Sequence, residues 1–255
     1  TLITVYEWHP SIFGDSDSNK IADVLDFAAK WIKENDFTGM DENKAPIYAA
    51  FLAKFSYLYR QYDYTYATEC LQMASSTFAK SQRLSTKNGD NFYALVELYR
   101  ATGLAVYGNQ IAEYQEVFQK DKNFFEDSSY LYGVMTYFIT RREIDVDMCD
   151  LLVQKLLLYG EKAAERCEEL KDFKKMQEAD TEEILYFTKV LICTNYMLES
   201  MQYYGIMEDV THYLLGRNME SVIYYDSEKI GEYLPLAAQN LEFYEKKRNM
   251  GNAVH

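Results

Sequence analysis

Tyrosine is the residue type with the most obvious capacity for chemistry in this sequence, with 24 copies among 255 residues. Two groups stand out, one of them early and one late in the chain: Tyr57, Tyr59, Tyr62, Tyr64 and Tyr66, and then Tyr203, Tyr204, Tyr224 and Tyr225. Sugar rings stack their apolar faces on aromatic rings, and a phenol can also hydrogen-bond them. Aromatic packing inside a helical core explains the same spacing, so both interpretations stay open.

Thiols and imidazoles give no comparable signal. The cysteines lie far apart, without a CxxC pair, at Cys70, Cys149, Cys167 and Cys193. They sit in apolar stretches, which predicts buried free thiols. The three histidines are also scattered, at His9, His212 and His255. We therefore expect neither a metal site nor a cofactor.

The formal net charge of −14 restricts the class of partner. Such a surface repels phosphate backbones, which argues against nucleic acid. A neutral oligosaccharide or polysaccharide is compatible with it, and so is acidity that serves solubility alone. No apolar run approaches the roughly 20 residues of a membrane span, so no membrane partner is expected.

Helical periodicity runs through most of the chain, interrupted by only three prolines and eleven glycines. Ser18 or Asn19 is predicted to cap an early helix. Pro46 suits a first helical turn, and Gly103 suits a left-handed helix end. Gly205 is predicted to stop a late helix. Other signals predict a helix from Asp63, a long helix from about Asp145 past Cys167, and a last helix from about Pro235.

About ten helices and no convincing strand result from this pattern, apart from a short alternation near Val222 to Tyr225. The fold class is therefore all-α. Two architectures accommodate such helices, a closed toroid of helical hairpins and an open solenoid of repeats. Because no repeat of fixed period is visible, the toroid is favoured.

Four phrases in the chain carry a family resemblance. They are "YEWHPSIFGDSDSNKIADVLDFAAKWI" (6–32), "AAFLAKFSYLYRQYDYTYATECLQMASSTFA" (49–79), "ALVELYRATG" (94–103) and "HYLLGRN" (212–218). In this order they resemble the central and C-terminal part of the catalytic domain of family 9 glycoside hydrolases, enzymes of the cellulase or endoglucanase type. The resemblance implies one (α/α)6 toroid-like domain over residues 1–255, incomplete at its N-terminus.

The resemblance also implies site residues. In that family the general base is an aspartate of an Asp-Ala-Gly-Asp phrase, expected here upstream of Thr1, so Asp15 and Asp17 are not assigned to it. The general acid is a glutamate before a Pro-Leu pair, which Pro235 and Leu236 match. Glu228 lies seven residues before that pair and Asp226 nine, so Glu228 is the candidate acid.

Substrate binding is expected at the late loop, by Arg217, Tyr224 and Tyr225. This loop departs from the family's pattern, because Met219 and Glu220 follow Asn218 where the family has a proline, and no Arg-His-Pro turn comes after them. The sugar-contacting arginine and histidine of that turn have no counterpart here.

Three functions follow as hypotheses. The first is inverting hydrolysis of β-1,4-linked glucans by a divergent or truncated family member. The alternative is a catalytically inactive domain, for which two functions are open. One is carbohydrate binding, and the other is that of a helical protein-interaction domain. Whether the chain is an enzyme therefore stays open. An exposed apolar edge is expected to support a homodimer, and the resemblance alone suggests an extracellular location.

Overall fold

The computed structural model describes residues 1–37, 39–81, 87–169, 181–199, 202–217, 223 and 230–252. Over these ranges the secondary structure is helical, and no strand occurs in them. None of the described helices is long and apolar enough to cross a membrane.

Twelve α-helices are found in the described ranges, together with a short 3-10 helix at Pro10–Ile12. They are α1 (Leu2–Trp8), α2 (Asp23–Glu34), α3 (Ala45–Tyr59), α4 (Tyr64–Ser81), α5 (Gly89–Thr102), α6 (Ala105–Ala112), α7 (Gln115–Phe118), α8 (Ser128–Ile139), α9 (Val146–Glu169), α10 (Thr181–Leu198), α11 (Tyr204–Leu214) and α12 (Ile230–Asn252).

The helices are distributed over two compact units. The central unit comprises Asp15–Lys155, and the terminal unit comprises Thr1–Gly14 with Leu156–His255. The division falls within α9. The single domain expected over residues 1–255 stays a prediction.

In the central unit, α3 packs against α4 and α5, and α5 packs against α8. Both α3 and α5 are buried around most of their circumference, as expected of a helix without a strong polar face. The contact between α5 and α8 is close, because a Cβ added to Gly133 would lie 2.7 Å from the Phe92 ring. Glycine at this position thus lets the two helices approach.

The predicted end of α5 is confirmed. Gly103 adopts φ 71°, ψ 13°, and its N–H donates to the Tyr99 carbonyl. The left-handed conformation carries no steric penalty for glycine, which is why it ends so many helices. Two predicted starts are also confirmed, with Pro46 in the first turn of α3 and the Asp63 carboxylate accepting the Tyr66 N–H at 2.9 Å before α4.

In the terminal unit, α12 packs against α1, α10 and α11. The core between them includes Val5, Ile192, Met207 and Leu236, all nearly inaccessible to solvent. Helix α11 ends at Leu214, and Gly216, two residues later, has a φ of 98°. A short N-terminal segment is thus held by helices more than 180 residues away in sequence.

The predicted cap of α2 at Ser18 or Asn19 is wrong. The helix begins at Asp23, after Ala22, with no side-chain cap. Ser18 and Lys20 instead have φ values of 53° and 71°, so the chain turns back before the helix starts. The polar residues that suggested a cap form this loop.

Two boundaries predicted near the C-terminus are also wrong. Gly205 lies inside the first turn of α11, and the preceding helix ends earlier, at Leu198. Pro235 does not begin the last helix, which starts at Ile230 and contains the proline. Pro235 is the sixth residue of this helix and lies beyond the first turn, so the Gly231 carbonyl lacks the N–H that would otherwise donate to it within the helix.

Candidate functional site

The residues predicted for catalysis and substrate binding are only partly described. Glu228, Tyr224 and Tyr225 lie outside the described residues. Arg217 is exposed just after α11, where its backbone N–H donates to the His212 carbonyl at 2.8 Å. Its Nη1 lies 3.4 Å from His212 Nδ1. Arg217 therefore contacts the end of its own helix.

Asp15 holds the loop that precedes α2. Its two carboxylate oxygens accept backbone N–H groups of Asn19, at 3.1 Å, and of Lys20, at 2.7 Å. Asp23 accepts the Ser16 N–H and hydroxyl in the same loop. These bonds stabilise the turn, which agrees with leaving Asp15 out of the catalytic assignment.

In the early tyrosine group one ring is buried, three are half-buried and one is exposed. Tyr59 is buried and stacks on Phe55 with 4.8 Å between ring centroids. The Tyr66 hydroxyl donates to the Ala29 carbonyl at 3.1 Å, and burial raises the pKa of both phenols. Tyr64 differs, since it is 65% exposed, with the Arg60 guanidinium 5.8 Å from its ring centroid.

The described half of the late tyrosine group is buried too. Tyr203 and Tyr204 are each less than a tenth exposed, and Tyr204 stacks on Phe243 at 4.2 Å. Gln239 donates from Nε2 to the Tyr204 hydroxyl. Packing and hydrogen bonding within the protein account for the Tyr204 ring.

An open cavity of about 600 Å³ lies in the terminal unit, between the C-terminal part of α9 and the start of α11. Its lining combines carboxylates with an amide, a phenol ring and small apolar groups: Ala164, Glu165, Glu168, Glu169, Gln202, Tyr203 and Ile206. This is the candidate site of the described structure, and we call it the acidic cavity.

The three glutamates share one face of α9 because they are spaced i, i+3 and i+4. All three are exposed. Glu169 Oε2 lies 3.1 Å from Arg166 Nη1, and Glu183 Oε1 lies 3.3 Å from Arg166 Nε. Hydrogen bonds to Glu169 and Glu183 raise the Arg166 pKa. Carboxylates and a side-chain amide are hydrogen-bonding groups that suit sugar hydroxyls.

Sequence reasoning missed the acidic cavity, although the repeated glutamates on one helical face were a visible signal. In the described ranges, no cluster of three or more histidine, cysteine, aspartate or glutamate residues could hold a metal ion. Its lining residues give the acidic cavity hydrogen-bonding groups and negative charge.

A buried ionic cluster lies in the central unit, where three helices meet. Glu97 of α5 lies 2.8 Å from Lys54 Nζ of α3 and 2.7 Å from Arg100 Nη2. Thr136 of α8 also donates to Glu97, at 2.8 Å. None of these side chains is more than 2% exposed. The cluster is inaccessible to a ligand and links α3, α5 and α8; its sequence signal was a lysine in an otherwise apolar helix.

A second buried polar group lies in the terminal unit. His9 Nδ1 is 2.5 Å from Glu242 Oε2, and Lys246 Nζ is 3.0 Å from Glu242 Oε1. Burial lowers the His9 pKa despite the neighbouring carboxylate. Burial alone would raise the Glu242 pKa, but hydrogen bonds from Lys246 and His9 lower it. The contact joins the end of α1 to α12.

No protein-family model and no curated protein matches the chain. Solved structures do. A metagenome-derived family 9 endoglucanase matches with a TM-score of 0.69 at 16% identity, over 89% of this chain and 53% of that one. The family 9 endoglucanase J30 matches with a TM-score of 0.56 at 19% identity, over 67% of this chain and 36% of that one. A Zn-binding triple mutant of J30 matches with a TM-score of 0.67 at 16% identity, over 85% of this chain and 53% of that one.

The chain has the fold of family 9 glycoside hydrolases. These structural neighbours have an (α/α)6 fold, which confirms the predicted resemblance and fold class and excludes the solenoid. The chain spans about half the length of two of these endoglucanases and about a third of the other. At these identities the match establishes architecture, and chemistry requires a separate argument.

Proposed function

We propose that this chain is a glycan-acting domain of the family 9 type, which binds β-1,4-linked glucans and takes part in their inverting hydrolysis. The observation that carries the proposal is the structural match to three endoglucanase structures, which extends over 67–89% of this chain. The acidic cavity adds a place where sugar hydroxyls would find hydrogen-bond acceptors. The net charge of −14 also suits a neutral ligand.

Inverting hydrolysis requires two carboxyl groups on opposite sides of the glycosidic bond. One protonates the leaving oxygen, and the other activates water, with about 6.5–9.5 Å between them. We assign Glu228 as the acid because of its position seven residues before Pro235. Arg217, Tyr224 and Tyr225 would contact the sugar. The base would come from the Asp-Ala-Gly-Asp phrase, which does not occur within these 255 residues.

The test is release of reducing ends from a soluble β-1,4-glucan by the chain joined to a segment carrying that phrase. Glu228→Gln should lower the rate by about 10²- to 10⁴-fold, the range of general acid catalysis. Asp226→Asn is the matched control from the same stretch and should retain activity. A rate that Glu228→Gln leaves unchanged would remove the acid assignment, and loss in Asp226→Asn alone would transfer it to Asp226.

A catalytically inactive carbohydrate-binding domain is the second candidate. The late loop favours it, because this loop lacks the Arg-His-Pro turn of the family. Calorimetric titration with cello-oligosaccharides separates the candidates, since binding without hydrolysis supports this one. If neither binding nor hydrolysis occurs, a helical protein-interaction role is the remaining candidate. The homodimer also stays a prediction, which light scattering would test.

A further inference from the structure

Three aromatic side chains of α2 and α3 in the central unit form a contact group, and a fourth lies on the same face of α2. The rings of Trp31 and Tyr48 are parallel to within 6°, with centroids 6.4 Å apart. Phe51 meets Trp31 edge-on at 5.5 Å. Phe27 lies one turn before Trp31, at i and i+4, and hence on the same face of α2. We call Phe27, Trp31, Tyr48 and Phe51 the aromatic strip.

A buried phenylalanine packs against two rings of the strip. Phe37, which is 5% exposed, contacts Trp31 at 5.8 Å and Tyr48 at 6.0 Å, both edge-on. Edge-to-face contacts of this kind are favourable arrangements of aromatic pairs. The Trp31 and Tyr48 rings are therefore held in place before any ligand arrives, which lowers the entropy cost of binding.

The strip is also accessible to solvent. Phe27 is 62% exposed, and Trp31, Tyr48 and Phe51 are each partly exposed. Packing of α2 on α3 explains the inner rings, but it gives no role to a phenylalanine that is mostly in water. Trp31 and Tyr48 each add a polar hydrogen-bonding group to an apolar ring. The side chains of the strip are aromatic, and two of them can donate hydrogen bonds.

We propose that the aromatic strip binds successive sugar rings of a neutral β-linked glucan chain. Sugar rings present C–H groups to an aromatic face and hydroxyls at their edges, which matches rings with polar ends. Phe27 and Trp31 are about 6 Å apart along the helix axis, at 1.5 Å per residue, so the strip is longer than one sugar ring. The choice of glucan rests on the proposed function. The strip shares no residue with the acidic cavity.

Tryptophan fluorescence gives a direct readout, because the chain has only two tryptophans and Trp8 is 5% exposed. Cellohexaose should shield Trp31 from acrylamide quenching, whereas glucose at the same concentration should have little effect. The shielding should vanish in Trp31→Phe. Unchanged quenching of the wild-type protein at saturating cellohexaose would overturn the inference.

Variants supply the second test. Phe27→Ala should weaken cellohexaose binding about fivefold, the size of one aromatic contact. Tyr64→Ala is the matched control, because Tyr64 is also aromatic and 65% exposed but lies outside the strip. Both substitutions are at the surface, and circular dichroism would verify that each variant folds. If Tyr64→Ala weakens binding and Phe27→Ala does not, the sugar surface lies at the α3–α4 turn and the inference is wrong.

The two proposals fail in different ways. Calorimetric binding that the strip variants leave unchanged would remove the strip but leave glycan binding by the domain intact. Suppose that Phe27→Ala weakens glucan binding, but the chain joined to a segment with the aspartate phrase shows no hydrolysis. That result would support the aromatic strip as a binding surface and contradict the proposed hydrolysis. Absence of any glucan binding would remove both.

Discussion

The two units differ in how far the hydrogen-bonding groups of their buried polar side chains are satisfied. In the central unit, Glu97 is fully buried but contacts Lys54, Arg100 and Thr136 at 2.7–2.8 Å. In the terminal unit, buried polar atoms on His9, Asn195, Gln239 and Asn240 have no hydrogen-bond partner in the structure as described. A buried polar atom without a partner costs about 1–3 kcal/mol. Arg100 Nε of the central cluster also lacks a hydrogen-bond acceptor, so the described parts of the two units differ in degree and not in kind.

The largest expected effect is at the ionic cluster. Glu97→Gln removes the carboxylate that two buried cations contact, and breaking such a buried group by removing one partner costs about 3–5 kcal/mol. Urea denaturation should show that loss of unfolding free energy. Glu69→Gln, at an exposed position on α4, is the control and should change little. A cost below about 1 kcal/mol at Glu97 would mean that the cluster does not hold α3, α5 and α8 together.

Two glycines should respond to alanine with opposite signs. Gly133→Ala in the central unit places a methyl group 2.7 Å from Phe92 and 3.2 Å from the Tyr93 Cα, and such overpacking costs about 1–3 kcal/mol. Gly205→Ala in the terminal unit meets nothing within 4 Å and should gain up to about 0.5 kcal/mol of helix propensity. Thermal melting of both variants checks the pair. If the melting temperatures of both variants shift by equal and small amounts, the two glycine positions do not differ in packing as described.

A substitution at Asn195 tests how much free energy the unpaired buried atoms cost. Its side-chain nitrogen and oxygen are both buried without a partner in the described ranges. Asn195→Leu keeps a similar size and removes the desolvated amide, so we expect a gain of about 1 kcal/mol. Thr136→Val is the counterpart in the central unit and should cost about 1 kcal/mol, because Glu97 loses a donor. Destabilisation by Asn195→Leu would indicate that the amide has a role that the described contacts do not show.

The smallest expected effect is a pH dependence in the terminal unit. The His9 pKa lies below its ordinary value of 6.5, chiefly because of burial. The unfolded chain therefore takes up this proton first, and stability should fall as pH drops from 7 through the lowered His9 pKa. Glu242, whose pKa is lowered, contributes stability that is lost only at more acidic pH, below about 4.5.

His9→Asn should flatten this slope between pH 7 and 5. Urea titrations followed by the fluorescence of Trp8, the buried neighbour of His9, would report it. Trp31→Phe provides the background in which only Trp8 emits. An unchanged slope in His9→Asn would assign the titration to another group.

Much of the fold followed from local rules. Apolar stripes at helical spacing predicted the all-α class. Gly103, Pro46 and Asp63 marked helix ends because the conformation of one residue and its nearest neighbours decides such positions. The family phrases went further and indicated the (α/α)6 architecture that the structural comparisons confirm. Local rules failed at Gly205 and Pro235, where the energetics of packing exceed the propensity of one residue.

Only the tertiary structure decided which side chains meet. Lys54, Glu97 and Thr136 come from three helices, and His9 contacts Glu242 across 233 positions of sequence. The aromatic strip likewise requires α2 to lie on α3 with Trp31 and Tyr48 parallel. The sequence determined which surfaces must be buried, since periodicity is a property of one segment. Pairings depend on the geometry of several segments at once, and no single segment encodes it.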